Sequence, residues 1–175
     1  MKITFKNKVV LITGATSGIG KASALAFAES GAKVVISGRR ETEGQAVVAE
    51  IKSFGGDATF IRVNVAQETE VEALINGTLA AYGRLDIAFN NAGIELSGPV
   101  GEVKEVDYRR IFDINVWGVF TSMKHEIPAL LNSGGGVIIN TSSVGGHVGT
   151  PGASLYVASK RSEERRVGKE CRSRW

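Results

Sequence analysis

Short β-branched runs alternate with longer Ala- and Leu-rich segments along the first 160 residues, and this alternation leaves few folds open. Val9–Thr13 is the first apolar run, followed by glycines and then by a helix-like stretch from Gly18 to Ser30. The unit recurs. Lys33–Ser37 reads as a strand before a helix from Glu41 to about Phe54, and Ala58–Val63 as another before Glu68 to about Tyr82. Asp86–Asn90 and Val137–Thr141 are further strands, separated by a helical stretch from about Val106 to Leu131. Continuous apolar strands joined by helices of this length imply a parallel sheet covered on both faces. About 160 residues bury one core of this kind, so one domain is expected.

Charge is unevenly spread. The chain has 21 Lys and Arg against 18 Asp and Glu, but Arg161–Trp175 supplies six of the basic and three of the acidic residues. Residues 1–160 are therefore balanced, and a nucleic-acid surface is not expected. The single cysteine, Cys171, also lies in the final segment, so the body has neither a disulfide nor a thiol nucleophile. No metal cluster is expected. The opening MKITFKNKVVLITG runs straight into a strand without a signal-peptide pattern, and no apolar run is long enough to span a bilayer. The expected location is the cytoplasm, without a membrane partner.

Between the first strand and helix lies TGATSGIG, with Gly14, Gly18 and Gly20 spaced G-x-x-x-G-x-G. Glycines here permit a tight turn and close approach of phosphate oxygens to backbone N–H groups, while the helix N-terminus favours negative charge. Taken alone, such a turn also closes βα units that bind nothing. A P-loop is excluded by spacing, because Ala15 stands where its first glycine belongs and Lys21 is followed by Ala22. The second strand ends Ser37-Gly38-Arg39-Arg40, with Gly38 where an acidic residue would bond a ribose diol. Arg39, helped by Ser37 or Arg40, favours a 2′-phosphate and hence NADP(H) over NAD(H). The alternative is that these arginines only solvate a helix start.

TGATSGIG, Asn90-Asn91-Ala92-Gly93, Asn115, Ser143 and Tyr156-Val157-Ala158-Ser159-Lys160 occur together in the order of the classical short-chain dehydrogenases/reductases, which residues 5–160 resemble. The resemblance implies a Rossmann-type doubly wound α/β sheet in the order 3-2-1-4-5, a nicotinamide cofactor, and a Ser-Tyr-Lys centre assisted by Asn. It implies a cofactor site drawing on Gly14, Thr16, Ser17, Gly18, Ile19, Gly20, Arg39, Asn64, Val65, Asn91, Ala92, Gly93, Tyr156 and Lys160. Asn64-Val65 stands where the family commonly has Asp-Val near the adenine, and Asn still accepts a hydrogen bond. The implied reaction is hydride transfer between the cofactor and a small-molecule carbonyl or alcohol.

The residue types suit that chemistry. Carbonyl reduction needs a proton for the developing alkoxide, and Tyr156 is the acid. A phenol ordinarily titrates near pH 10, and a nearby ammonium favours the phenolate. Lys160, four residues on, shares a helix face with Tyr156; by resemblance it also binds the nicotinamide ribose. Ser143 is expected to hydrogen-bond the substrate oxygen. Asn115 resembles the family asparagine that shapes the active-site helix and holds a water linked to the lysine. His147 and His125 are read as solvent or surface contacts, and Trp117 with Phe120 as packing. Glu95–Val100 and Val144–Leu155 are expected to form part of the substrate pocket.

Arg161–Trp175, RSEERRVGKECRSRW, departs from the family abruptly. It is similar to what sequencing-library adapter DNA encodes when translated, and is expected to be a non-native tail replacing the later crossover and strands; a genuine basic tail is the alternative. On that reading the fifth strand is left exposed, and the parent is a homodimer or homotetramer. Two functions follow: an oxidoreductase truncated after its catalytic lysine, or a catalytically silent dinucleotide-binding fragment.

Overall fold

The computed structural model describes residues 4–166. They divide into two compact units. One is built from Val119–Thr141 and the chain up to Ala92, the other from Gly93–Gly118 and the chain from Ser142 onward.

The first unit holds the whole sheet. Its strands are β1 (Val9–Thr13), β2 (Lys33–Gly38), β3 (Asp57–Arg62), β4 (Ile87–Asn90) and β5 (Val137–Asn140), in the order β3-β2-β1-β4-β5. Every pairing is parallel, with Val10 opposite both Val34 and Ile87. This is the expected Rossmann-type arrangement. Helices α1 (Gly18–Glu29), α2 (Glu41–Ser53) and α3 (Glu68–Tyr82) make the crossovers.

Side chains alternate across a strand, so two buried sets mean two covered faces. Val10, Ile12, Val34 and Ile36 pack with Ala24, Ala28, Val47 and Ile51 of α1 and α2. Val9, Leu11 and Val35 point the other way and are equally buried. β5 is an edge strand, with Val137 54% and Ile139 40% exposed, as expected for a fifth strand without a further neighbour. The entry to β4 is pinned by Asp86, which lies just before the strand rather than within it. Its carboxylate accepts hydrogen bonds from Lys8 Nζ at 2.9 Å, Val9 N at 3.0 Å and Arg84 Nη2 at 2.6 Å. Burial works to raise its pKa, but these donors outweigh it and hold the group at about 2.

The single helix expected from Val106 to Leu131 is interrupted. It forms α4 (Glu105–Phe112), a π-helical turn at Asp113–Trp117 and α5 (Gly118–Asn132). Hydrophobic periodicity does not register one inserted residue, because the apolar stripe resumes on either side of it. The second unit comprises α4, the π-turn, a 3₁₀ turn at Val144–Gly146 and α6 (Ser154–Arg166). α6 thus continues into the segment expected to be a non-native tail, whose residues 167–175 lie outside those described.

Candidate active site

The Gly-rich turn between β1 and α1 is specified by what its glycines lack. Gly14 has φ +66°, and a Cβ there would lie 2.8 Å from Ala92 Cα. Gly20 has no room either: a Cβ would sit 2.5 Å from Gly14 O and 2.6 Å from Asn91 Nδ2. Gly18 differs, since its φ of +56° demands glycine although nothing lies within 4 Å. The Asn91-Ala92 backbone is stitched to this turn. Asn91 N and Ala92 N both donate to Thr13 Oγ1 at 3.1 Å, and Asn91 Nδ2 donates to Thr13 O and Gly14 O at 3.1 and 3.2 Å. In sequence Thr13 carries no signal of this role, because a buried strand-end threonine is chemically bland until its partners are known. The result is a close-walled backbone cradle at a helix N-terminus, suited to a pyrophosphate.

The arginine pair divides in an unexpected way. Arg40 Nη2 reaches the turn, donating to Thr16 Oγ1 at 2.8 Å and Ser17 Oγ at 2.6 Å. Arg39 is exposed and makes no hydrogen bond or ion pair among the described residues. Ser37 cannot assist it: the side chain is fully buried and donates to Ile12 O at 3.1 Å within the sheet. An alternating strand sends Ser37 inward, which proximity in sequence did not reveal. Asn64 Oδ1 accepts weakly from Ala66 N at 3.3 Å, leaving its Nδ2 donor and a second lone pair for a ligand. Val65 beside it is buried.

In the second unit, Tyr156 and Lys160 lie on one face of α6, with Lys160 Nζ 6.0 Å from the centre of the Tyr156 ring. Lys160 is only 6% exposed. Ser143 caps the 3₁₀ turn, its Oγ accepting from Gly145 N at 3.1 Å. A methyl group at Gly145 would sit 3.4 Å from Tyr156 Cε1 and 3.5 Å from Ser143 Oγ, so the serine hydroxyl and the phenol ring flank the same glycine. Three of the expected catalytic side chains are thereby gathered.

Asn115, the fourth, is completely buried on the π-turn. Its Oδ1 accepts from Ile94 N at 2.9 Å, and its Nδ2 donates to Ile94 O at 2.9 Å and Ser159 Oγ at 3.1 Å. Ser159 Oγ donates in turn to Tyr156 O at 2.8 Å. The carboxamide is therefore engaged throughout by protein. Ser159, buried between Tyr156 and Lys160 in the sequence, is the connection the motif concealed, because a helical serine is ordinarily a satisfied back-bonder.

A cavity of about 240 Å³ in the second unit is lined by Leu96, Pro99, Val103, Gly152 and Leu155 with Glu102 and Asp107, and by none of the four expected catalytic side chains. Its lining draws residues from the segments 95–100 and 144–155 and, outside them, Glu102, Val103 and Asp107. His147 is exposed. His125 lies on a charged helix face as expected, sharing Glu68 with Lys124 at 3.3 and 2.6 Å. Trp117 and Phe120 keep 43% and 46% of their surface exposed, so they pack less completely than expected. No helix among the described residues is long and apolar enough to cross a membrane.

The profile of the family described as short chain dehydrogenase matches residues 8–164. The chain belongs to that family. Cyclohexanol dehydrogenase of Acinetobacter sp. (strain SE19) is 44% identical over 91% of this chain and 64% of its own length. The 3beta-hydroxysteroid dehydrogenase of Mediterraneibacter gnavus is 43% identical, over 90% of this chain and 57% of its own. Among solved structures, a short chain dehydrogenase/reductase from Burkholderia phymatum in complex with NAD superimposes with a TM-score of 0.91 at 32% identity, over 93% of this chain and 58% of its own. The chain thus spans about three fifths of the length of these relatives.

Proposed function

We propose that this short-chain dehydrogenase is an oxidoreductase that interconverts a small-molecule carbonyl and alcohol, with Tyr156 as acid and base and NADP(H) preferred over NAD(H). The observation that carries the reading is the Tyr156–Lys160 pair on one face of α6, with Ser143 across Gly145. Bound nicotinamide supplies or accepts the hydride. Tyr156 Oη gives the proton to the developing alkoxide on reduction and takes it back on oxidation. Lys160 Nζ lies beside the phenol ring on the same helix face, 6.0 Å from its centre. Ser143 Oγ donates to the substrate oxygen. Asn115 acts through Ser159, fixing the Tyr156 backbone rather than touching substrate.

In the first unit, the cradle of Gly14, Thr16, Ser17, Gly18, Ile19 and Gly20 fits a pyrophosphate, and the tight space at Gly14 and Gly20 is what a close-approach backbone site requires. Arg39, just after β2 and without a partner among the described residues, is assigned to a 2′-phosphate, and Asn64 with Val65 to the adenine. Asn91 and Ala92 border the cradle, and Gly93 is assigned to the same cofactor. The reading includes a cytoplasmic location and a parent protein that is a homodimer or homotetramer. Titration with NADPH and NADH, followed by turnover with cyclohexanone and NADPH, tests it. Tighter NADPH binding with turnover is expected. Tighter NADH binding removes the Arg39 assignment, and binding without turnover across a panel of ketones and alcohols favours the silent dinucleotide-binding fragment.

A further inference from the structure

Glu126 of α5 is 1% exposed, inside the first unit, and has no part in the reaction proposed above. A carboxyl group in such a place is ordinarily paired with a cation. Here its partner is an amide: Asn90 Nδ2 donates to Glu126 Oε2 at 2.9 Å. The adjacent Lys124 and His125 turn instead to Glu68 on α3. Among the described residues Glu126 forms no ion pair, and its burial pushes its pKa up to about 7 against the opposing Asn90 hydrogen bond.

The same cluster contains a second anomaly. Asn90, at the end of β4, is 3% exposed, and its Oδ1 is buried without a hydrogen-bond partner. Its Nδ2 is fully used, donating also to Asn140 Oδ1 at 3.0 Å. Asn140 turns its own Nδ2 to Met123 Sδ at 3.4 Å. An ionised Glu126 would add an acceptor-only group beside an acceptor that already lacks a donor. A neutral carboxylic acid has the missing O–H, and a carboxylic acid and a carboxamide pair through one bond in each direction. One proton thus answers both anomalies.

We infer that Glu126 is a proton-carrying positioning residue: its acid O–H donates to Asn90 Oδ1 while its other oxygen accepts from Asn90 Nδ2, and this pair holds the Asn91-Ala92 turn against the glycine-rich turn. Asn90 is joined directly to Asn91, whose Nδ2 bonds Thr13 O and Gly14 O and whose N bonds Thr13 Oγ1. Losing the Glu126 proton turns one arm of the pair repulsive and loosens that seam. The inference rests on contacts within the first unit and is independent of the assigned reaction.

Below about pH 4.5 the acid is neutral in both folded and unfolded chains. Between there and pH 7 the unfolded chain ionises first, so stability falls as pH rises; above pH 7 both states are ionised and the fall ends. Glu126→Gln keeps the shape and both hydrogen bonds while removing the titration. Infrared difference spectra of wild type and Glu126→Gln from pH 5 to 8.5, with amide NMR of Asn91 and Ala92 and denaturant unfolding of both proteins, test the inference. A wild-type protonated-carboxyl band that disappears near pH 7 and is missing in the variant is expected, with the Asn91 and Ala92 resonances moving in step only in wild type. The folding constant of wild type should fall relative to the variant by roughly a hundredfold between pH 5 and 8. Absence of the band at pH 5.5, parallel stability curves, or amide resonances that titrate alike in both proteins would overturn it. Glu126→Ala removes the pair altogether, and a variant as stable as Glu126→Gln would also refute it.

Discussion

The glycine-rich turn and the Tyr156–Lys160 helix achieve specificity by opposite means. At the turn, the proposed function rests on backbone groups, and a side chain is excluded at Gly20, where a Cβ would meet main chain at 2.5 Å. On α6, the proposed function rests on side-chain atoms, and the backbone serves as a ruler that spaces two of them by one helical turn. At Gly14 and Gly20 the turn has no room for an added atom. On the proposed reading the helix depends on keeping its hydroxyl and ammonium rather than on empty space.

Removing one oxygen from the helix should therefore have the largest effect on catalysis. Tyr156→Phe is expected to lower kcat by roughly 10²–10⁴-fold while leaving NADPH affinity within a few fold, as measured by steady-state kinetics and fluorescence titration. An equal loss of affinity would merge the two roles and break the contrast.

Adding one methyl to the turn should act on stability and cofactor affinity together. Gly20→Ala is expected to cost about 1–3 kcal/mol in denaturant unfolding, because backbone must move, and to weaken NADPH binding. Gly18→Ala has open space and meets only the left-handed φ, so about 1 kcal/mol is expected. Equal costs at the two positions would mean that conformation, not space, governs the turn.

Acid should reach the sheet through Asp86 rather than through either functional region. Its pKa is depressed, so its contribution is fully present above about pH 4 and is lost as pH falls towards 2. Unfolding free energy should fall by about 2 kcal/mol over that range, relative to Asp86→Asn, in which the acid limb is flattened. A wild-type curve parallel to the variant's would remove Asp86 as the anchor of β4.

The smallest effect is expected where the helix relies on an internal bond. Ser159→Ala should cost about 1 kcal/mol of stability by stripping one Asn115 donor of its acceptor, and should lower kcat more than it raises KM. A change in KM alone would place Ser159 in substrate binding instead.

Much of this was legible before any coordinates. The βα alternation is a local pattern, and strands Val9–Thr13 and Lys33–Gly38 appear where their β-branched residues demand. The order of the sheet came with the family resemblance rather than with periodicity. The Tyr156–Lys160 spacing was readable because helix geometry relates residues four apart without reference to the rest of the chain. The π-turn was not, since one extra residue leaves hydrophobic periodicity nearly intact.

By itself the sequence determined what local geometry can carry: alternating elements, glycines where the turn admits nothing larger, and the phenol and ammonium on one helix face. Only the tertiary structure decided which polar groups meet. It put Arg40 rather than Arg39 on Thr16 and Ser17, closed Asn115 around the Ile94 backbone, turned Ser37 into the sheet, and buried Glu126 against Asn90. Each of these depends on facing surfaces of elements distant in sequence, and in a dry interior a polar atom's role is set by the partner that replaces its water.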